Sequence, residues 1–564
     1  MSLTAPRHVP CVSLSGLQEA ARETDVVALR PHIRKHFQAL LTDKGDWNLS
    51  IYDLAWVLCC DFFNETEKRR NLSELLSLQH SDGSWGDASY APHSALVDTL
   101  AAVMALVRLG QPIPRRRELD ARLEALLLEC RSYPYHDTVA YELVAPKLLQ
   151  WLERHQCVFP LSPTAREYIG QVNQKGDMKL AKLSKLGALF EASSTLSYTA
   201  ELAVLLPDPP DASVLTRMML PNGAIGLSPS ATAAVILLLT EQKREVPAGL
   251  YQYLRTTFED YQRTGFPNLH PIVTSRRLWN VRPWLVSGNI LDLVRDETIL
   301  PVLTEIYQET NIDALGRVSW DTNNADLPDL DDTAVAFALY SVLVRAGVRG
   351  LKPMTSASLQ PFQRKNGTFF CYPHELHPSP SALLHSVLAM DLAEDTFGPS
   401  FTQQPDNQSM LRMLLEQLDP MEFSFDQLNH DKWHATWTYG VQKWLSLRSM
   451  FATYPEQVRK MVAGILERRT AQGGWGLMGP TLEETAYVTS GLVSLVKHGS
   501  HLVSPEELRE VHGALARARR YMVEELQRED VRLPALWISK NMYTPRFQIV
   551  SAVLDALYGT AKVR

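Results

Sequence analysis

No stretch of this sequence approaches the roughly eighteen consecutive apolar residues that a membrane-crossing helix needs; Val235–Leu239 and Ala55–Cys60 are among the longest runs. Residues 1–30 lack the basic start and apolar centre of a secretory leader. Cysteine is scarce. The six present, Cys11, Cys59, Cys60, Cys130, Cys157 and Cys371, form no C-x-x-C pair and no Cys/His ligand spacing, which argues against a zinc site or a disulfide framework and fits a reducing, cytoplasmic compartment. Positive charge is also short: 56 Lys and Arg stand against 63 Asp and Glu, a net -7. The basic residues are scattered apart from clusters such as Arg115-Arg116-Arg117, so no nucleic-acid partner is expected. Sustained strand-like alternation is missing as well, which leaves an all-α chain.

What is present suffices for two or more full cores, with 45% hydrophobic and 21% charged residues over 564 positions. A lead helix is expected over residues 26–41. Another opens at Ser50, where Asp53 is either a local cap or a buried polar anchor, capping being the commoner case. A unit then recurs: a Gly turn with an aromatic or apolar residue, a loop, and a helix that starts with small or acidic residues and continues apolar. The turns begin at Gln79, Asn222, Gly316, Asn366 and Gln472, and their helices near Ser94, Ser228, Asp331, Pro378 and Glu483. Such an array predicts helical hairpins closing into α/α barrels, the small-residue helices inside and their starts at the mouth.

One of these starts carries three carboxylates in four residues, Asp329-Leu330-Asp331-Asp332, ahead of an apolar helix. Taken alone it is a helix cap, because Asp accepts the unpaired first-turn N–H groups and suits the positive end of the dipole. The same crowding has a chemical reading. Three adjacent carboxylates cannot all ionise cheaply, so one keeps its proton, and a cationic or hydrogen-bonding neighbour with the helix N-terminus stabilises the anion it would leave. That describes a general acid strong enough to protonate an alkene and start a carbocation cyclisation.

The residues around it resemble class II terpene cyclases. Asp329–Ala334 is similar to their D-x-D-D-T-A, Ser50–Val57 to S-x-Y-D-T-A-W-V with Leu54 for Thr, and Gln79–Gly86 and Gln472–Gly476 to Q-x-x-D-G-S-W-G. Ser228–Ala233 resembles S-P-S-A-T-A, Gly265–Pro271 G-V-P-N-V-Y-P, Asp431–His434 D-K-W-H, and Leu536–Pro545 L-W-I-G-K-x-L-Y-T-P. The landmarks fall in the family's order over residues 50–545, with spacing nearest to bacterial diterpene cyclases of the copalyl diphosphate synthase type.

The resemblance implies two α/α barrels, the βγ architecture without a class I α domain. Residues 1–44 would be the lead helix of the β domain, 45–270 an inserted γ barrel, and 271–564 the β barrel carrying the acid, with the cavity between them. It makes Asp331 the general acid, Asp329 and Asp332 its tuning neighbours, and His377 its hydrogen-bond partner, where plant members usually carry Asn. Trp320, Phe370, Tyr372, Trp433 and Trp537 are candidates to face the cation, although an aromatic at any one site is more often plain core. Lys182 aligns with a diphosphate-binding lysine, with Lys432 and Lys540 as further candidates. Mg²⁺ is the implied cofactor, and Glu142 lies where plant relatives carry an acidic stretch that here only His136-Asp137 approaches.

A D-D-x-x-D motif with a downstream N-x-x-x-S-x-x-x-E is absent, so the product is expected to keep its diphosphate and pass to a separate class I synthase or phosphatase. Geranylgeranyl diphosphate giving a bicyclic, labdane-like or rearranged diphosphate is the leading reading, and farnesyl diphosphate giving a drimenyl-type product the nearest alternative. A squalene-type cyclase would want more Q-W turns and no Lys182, though a histidine beside the acid favours it. A protein prenyltransferase β-subunit would need a zinc constellation, and a non-catalytic barrel would not need the acid triad.

Overall fold

The computed structural model describes residues 14–42, 47–135, 137–185, 197–372, 375, 378–418, 425–428 and 431–563. Its regular structure is mostly helical. The strands among the described residues are two short pairs, Val318–Ser319 with Pro328–Asp329 and Trp537–Ile538 with Met542–Tyr543. Two compact units emerge, one of residues 47–271 with 535–544, the other of residues 14–42, 272–534 and 545–563. Segment 535–544 departs from the division read in the sequence, which assigns it to the later barrel.

In the first unit, Ile51–Leu58, Pro92–Arg108, Tyr141–Arg154, Thr199–Leu205 and Pro229–Glu241 each pack on the next, and the last returns to the first. Two of these inner helices are buried all round: every residue from Pro92 to Leu106 and from Pro229 to Leu239 is buried. Outside them lie stripe-faced helices such as Arg116–Ser132, which buries Leu119, Leu123, Leu126, Leu127 and Cys130 at helical spacing. The second unit closes six inner helices in the same way: Val273–Val286, Leu330–Arg345, Pro380–Phe397, Trp437–Trp444, Leu482–Ser494 and Arg546–Lys562. The lead helix, Val26–Thr42, packs outside this ring against its first and last members.

The recurring unit has a physical basis. In the turn at 80–84, Gly83 N–H donates to His80 O at 3.0 Å and His80 N–H to Ser84 O at 2.9 Å; Gly473, Thr470 and Gly474 repeat this at 2.9 and 3.0 Å. The turns need positive φ, 85° at Gly83 and 93° at Gly473, which glycine adopts without strain. A threonine fourth in the inner helix then takes the next N–H: Ile225 to Thr232 at 3.0 Å, Val318 to Thr333 at 2.9 Å, Trp475 to Thr485 at 3.0 Å. In the Pro380–Phe397 helix Leu383 stands at that position, and Phe369 N–H turns instead to Gln417 Oε1 at 2.8 Å. Thr485→Val, which leaves the Trp475 N–H buried and unpaired, is expected to cost about 1–3 kcal/mol, read as a lowered unfolding midpoint.

Segment 535–544 enters the first unit where its inner helices begin. Lys540 Nζ bonds Glu201, Ser228 Oγ (2.8 Å) and Ser230 Oγ (3.2 Å), and Asn541 Nδ2 donates to Asp98 Oδ1 at 2.7 Å. Asp53 is a buried anchor rather than a cap, since Ser50 caps its helix while Asp53 Oδ1 accepts from Ser230 N–H at 2.9 Å. Burial pushes Asp53 up to about 6 against the pull of Lys540, and pushes Asp98 up to about 7. Lys540 gives its donors to groups of this unit, and Trp537 is fully buried with its ring 6.3 Å from that of Tyr543.

Candidate active site

Asp329 caps the Leu330–Arg345 helix. Its extended backbone (φ -128°, ψ 158°) pairs with Val318, and its Oδ1 accepts the Asp332 N–H at 2.7 Å. The capping reading therefore describes Asp329 correctly. Burial, with the charges of Asp332 and Asp331 beside it, lifts the Asp329 carboxyl well above the ordinary range.

Asp332 is occupied on both oxygens by the Val273–Val286 helix. Ser275 Oγ donates to Oδ2, and Trp279 Nε1 donates to Oδ1 at 2.8 Å. Burial is the largest influence on it and, with the Asp331 charge, pushes it up to about 7. Both flanking carboxyls are thus shifted toward their protonated forms.

Asp331 behaves in the opposite way. Its Oδ1 meets His385 Nδ1 on the Pro380–Phe397 helix, and both groups are buried. Burial raises the Asp331 carboxyl, but the His385 contact and the charges of Arg282 and Lys443 outweigh it and hold it below the usual carboxylate range. His385 is pushed down to about 4, by burial first and then by the same two cations, against the pull of Asp331. Arg282 Nη1 donates to the Tyr439 hydroxyl, its guanidinium lies 4.7 Å from that ring's centroid, and Lys443 Nζ donates to Tyr439 O at 2.8 Å. Of the three carboxyls, Asp331 alone is shifted downward.

Aromatic rings follow in an edge-to-face series, Trp320 to Tyr372 at 6.0 Å and Tyr372 to Trp433 at 6.3 Å. Lys432 pairs with Glu375 and stands 5.0 Å from the Trp433 ring, and Phe370 is buried beneath Arg364 at 3.5 Å. The Asp331 partner expected at His377 lies outside the described residues, and the contact belongs to His385, which the sequence reading missed. A histidine in the otherwise apolar run Ala382–Met390 was the available signal. Arg282, Lys443 and Tyr439 had none, sitting in helices without a motif.

In the first unit Glu142 pairs with Lys179, whose ammonium lies 5.5 Å from the Tyr198 ring. Lys182, the lysine chosen from the sequence, is exposed and makes no ion pair among the described residues. Asp137 is pushed up to about 6 by burial and by the Glu142 charge. Among the described residues no cluster of three or more His, Cys, Asp or Glu could hold a metal ion by itself.

No family model matches the sequence. The chain is 28% identical over 525 residues to (+)-kolavenyl diphosphate synthase of Herpetosiphon aurantiacus, covering 87% of this chain and 90% of that one. It is 27% identical over 542 residues to copalyl diphosphate synthase of Streptomyces cyslabdanicus (91% and 92% covered) and 26% over 527 residues to type B diterpene cyclase of Mycobacterium tuberculosis (90% and 94%). Among solved structures, ent-copalyl diphosphate synthase from Streptomyces platensis shares the fold with a TM-score of 0.70 at 23% identity, over 94% of this chain and 99% of that one.

Proposed function

The chain is a class II terpene cyclase of the bacterial diterpene cyclase type, and we propose that it cyclises geranylgeranyl diphosphate to a bicyclic, labdane-like or rearranged diterpenyl diphosphate. The observation that carries this reading is the Asp331–His385 contact with Arg282 and Lys443 behind it. A proton on Asp331 leaves behind an anion that His385 and two cations stabilise, so the neutral form is a strong acid. It protonates the terminal alkene, the chain closes on the tertiary cation, and Trp320, Tyr372 and Trp433 offer ring faces to the moving charge. The diphosphate takes no part and is retained.

For the diphosphate the supporting set is Lys179, Glu142 and Asp137. Magnesium keeps several waters and is held by one or two carboxylates together with substrate phosphates, a donor set that Asp137 and Glu142 fit. Bound there it would neutralise diphosphate charge, while Lys179 supplies the ammonium. Lys179→Met is expected to raise KM by about tenfold or more, the scale of one charge-assisted bond, with kcat less affected. Omission of Mg²⁺ should move KM in the same direction, read in initial-rate assays.

The chain length of the substrate is tested by incubating the protein separately with geranylgeranyl and farnesyl diphosphate, removing the diphosphate with phosphatase and identifying the alcohols by mass spectrometry. A cyclic C20 alcohol supports the reading. A cyclic C15 alcohol alone would favour a drimenyl-type reaction. A cytoplasmic location is part of the proposal, supported by the free thiols of Cys59, Cys60, Cys130, Cys157 and Cys371 and by the absence, among the described residues, of a helix long and apolar enough to cross a membrane. A separate class I synthase or phosphatase would consume the product.

A further inference from the structure

The register that carries Asp331 recurs once in the same ring. In the Leu330–Arg345 and Leu482–Ser494 helices the cap accepts the N–H of the third helical residue, Asp332 to Asp329 at 2.7 Å and Glu484 to Thr481 at 3.1 Å. That third residue is a buried carboxyl in both, and burial pushes Asp332 up to about 7 and Glu484 up to about 8. The fourth is the threonine that holds the turn. The second is Asp331 in one helix and Glu483 in the other, each almost fully buried and each facing a histidine. The two helices stand three places apart in a ring of six, so the carboxyls start from opposite sides of it.

Their partners are arranged differently. Thr436 N–H donates to His434 Nδ1 at 3.2 Å, and the other ring nitrogen, Nε2, faces Glu483 Oε1 at 3.4 Å. The Tyr487 hydroxyl donates to the same oxygen at 3.0 Å. Tyr439 stacks on His434 at 4.9 Å, and its hydroxyl receives Arg282, the cation that also acts on Asp331. Glu483 thus receives the Tyr487 hydroxyl and stands against the His434 ring, whereas Asp331 stands against His385 with Arg282 nearby. Two buried carboxyls at the same register, with different partners on opposite sides of one ring, can serve different steps of one reaction.

We propose that Glu483, oriented by His434 and Tyr487, is the base that takes the last proton from the cyclised cation. This rests on the reading of Asp331 as the initiating acid. A C–H bond beside the cationic carbon breaks, its electron pair becomes the C=C bond, and the proton moves to a Glu483 oxygen. One proton enters from Asp331 and one leaves to Glu483, so the product is an isomer of the substrate. Exchange with solvent restores both groups between turnovers.

The test is product partition, which a purely structural Glu483 would not move. In Glu483→Gln the cation persists until water captures it or another C–H gives way. The ratio of native alkene to hydroxylated and isomeric C20 alcohols is expected to fall by about 10²-fold, the scale of a lost general base, while substrate is still consumed. Tyr487→Phe should shift the same ratio less, and it carries the test if Glu483→Gln does not fold by circular dichroism. A native product spectrum from the folded variants overturns the base assignment and leaves the acid standing. A folded Glu483→Gln that consumes no substrate overturns it too, because termination cannot govern initiation. If the wild-type protein cyclises no isoprenoid diphosphate, the underlying reading fails instead.

Discussion

Asp331→Asn is expected to abolish cyclisation, lowering kcat by about 10⁴-fold, the upper range for loss of a general acid. An amide has no acidic proton to give an alkene, and neither neighbour can replace the lost group. Asp329 is committed to the helix cap and Asp332 to Ser275 and Trp279. The substitution is nearly isosteric and leaves the cap bond between Asp332 and Asp329 untouched, so the unfolding midpoint should stay within a few degrees. A folded variant that kept a tenth of wild-type turnover would remove Asp331 from the acid's role. The pH dependence has a definite sign. Asp331 must carry a proton to react, and its depressed carboxyl loses that proton more completely as pH rises. Asp332, pushed up to about 7, is neutral below that pH; above it a second negative charge beside Asp331 makes the remaining proton harder to release. The Asp332 charge also keeps more of Asp331 protonated, so the depressed carboxyl sets the sign, and kcat should fall as pH rises.

Lys540→Met is expected to destabilise the first unit by about 3–5 kcal/mol, the usual cost of removing one partner of a buried ion pair. Glu201 is fully buried, and its Oε1 accepts from Lys540. Without the ammonium an uncompensated charge remains among Ser228, Ser230 and Asp53. The double variant Lys540→Met/Glu201→Gln should recover part of the loss, which a double-mutant cycle on denaturant midpoints would measure. Asp53 adds a pH signature. Its folded value is raised to about 6 from 3.8, so the stability it contributes is greatest in acid and is lost as pH rises through about 6. Loss of Lys540 lifts Asp53 further, and the variant should weaken more steeply than the wild type between acid and neutral pH. Full stability with a unit unchanged by proteolysis would show that the 535–544 segment does not depend on this cation.

The helical barrels were legible because several turns and inner helices carry their own short-range signals, a glycine at positive φ and, in three of them, a threonine at the fourth helical position. The acid triad was legible for the same reason, since its three members share one helix start. What could not be read lies across the ring. His385 reaches Asp331 from a different inner helix, 54 positions away, and Arg282 and Tyr439 meet from helices separated by 157. No local pattern encodes such meetings, which depend on how six helices close. The burial of Lys540 could not be read either. A lysine in a polar stretch reads as solvated or as a ligand for phosphate, and only the return of 535–544 into the first unit makes it a buried cation.

In four of the inner helices the second helical position holds Ser230, Asp331, Ser381 and Glu483, while the fourth holds Thr232, Thr333, Leu383 and Thr485. Ser230 and Ser381 each give their N–H to a buried aspartate, Asp53 and Asp431. The scaffold and the chemistry thus occupy different rungs of one repeated cassette. A change on the second rung alters what the barrel can do to a bound molecule and leaves the turn lock intact; a change on the fourth loosens the turn whatever the reaction. New reactivity can therefore arise in this architecture one seat at a time, with foldability carried by residues that no change of substrate needs to touch.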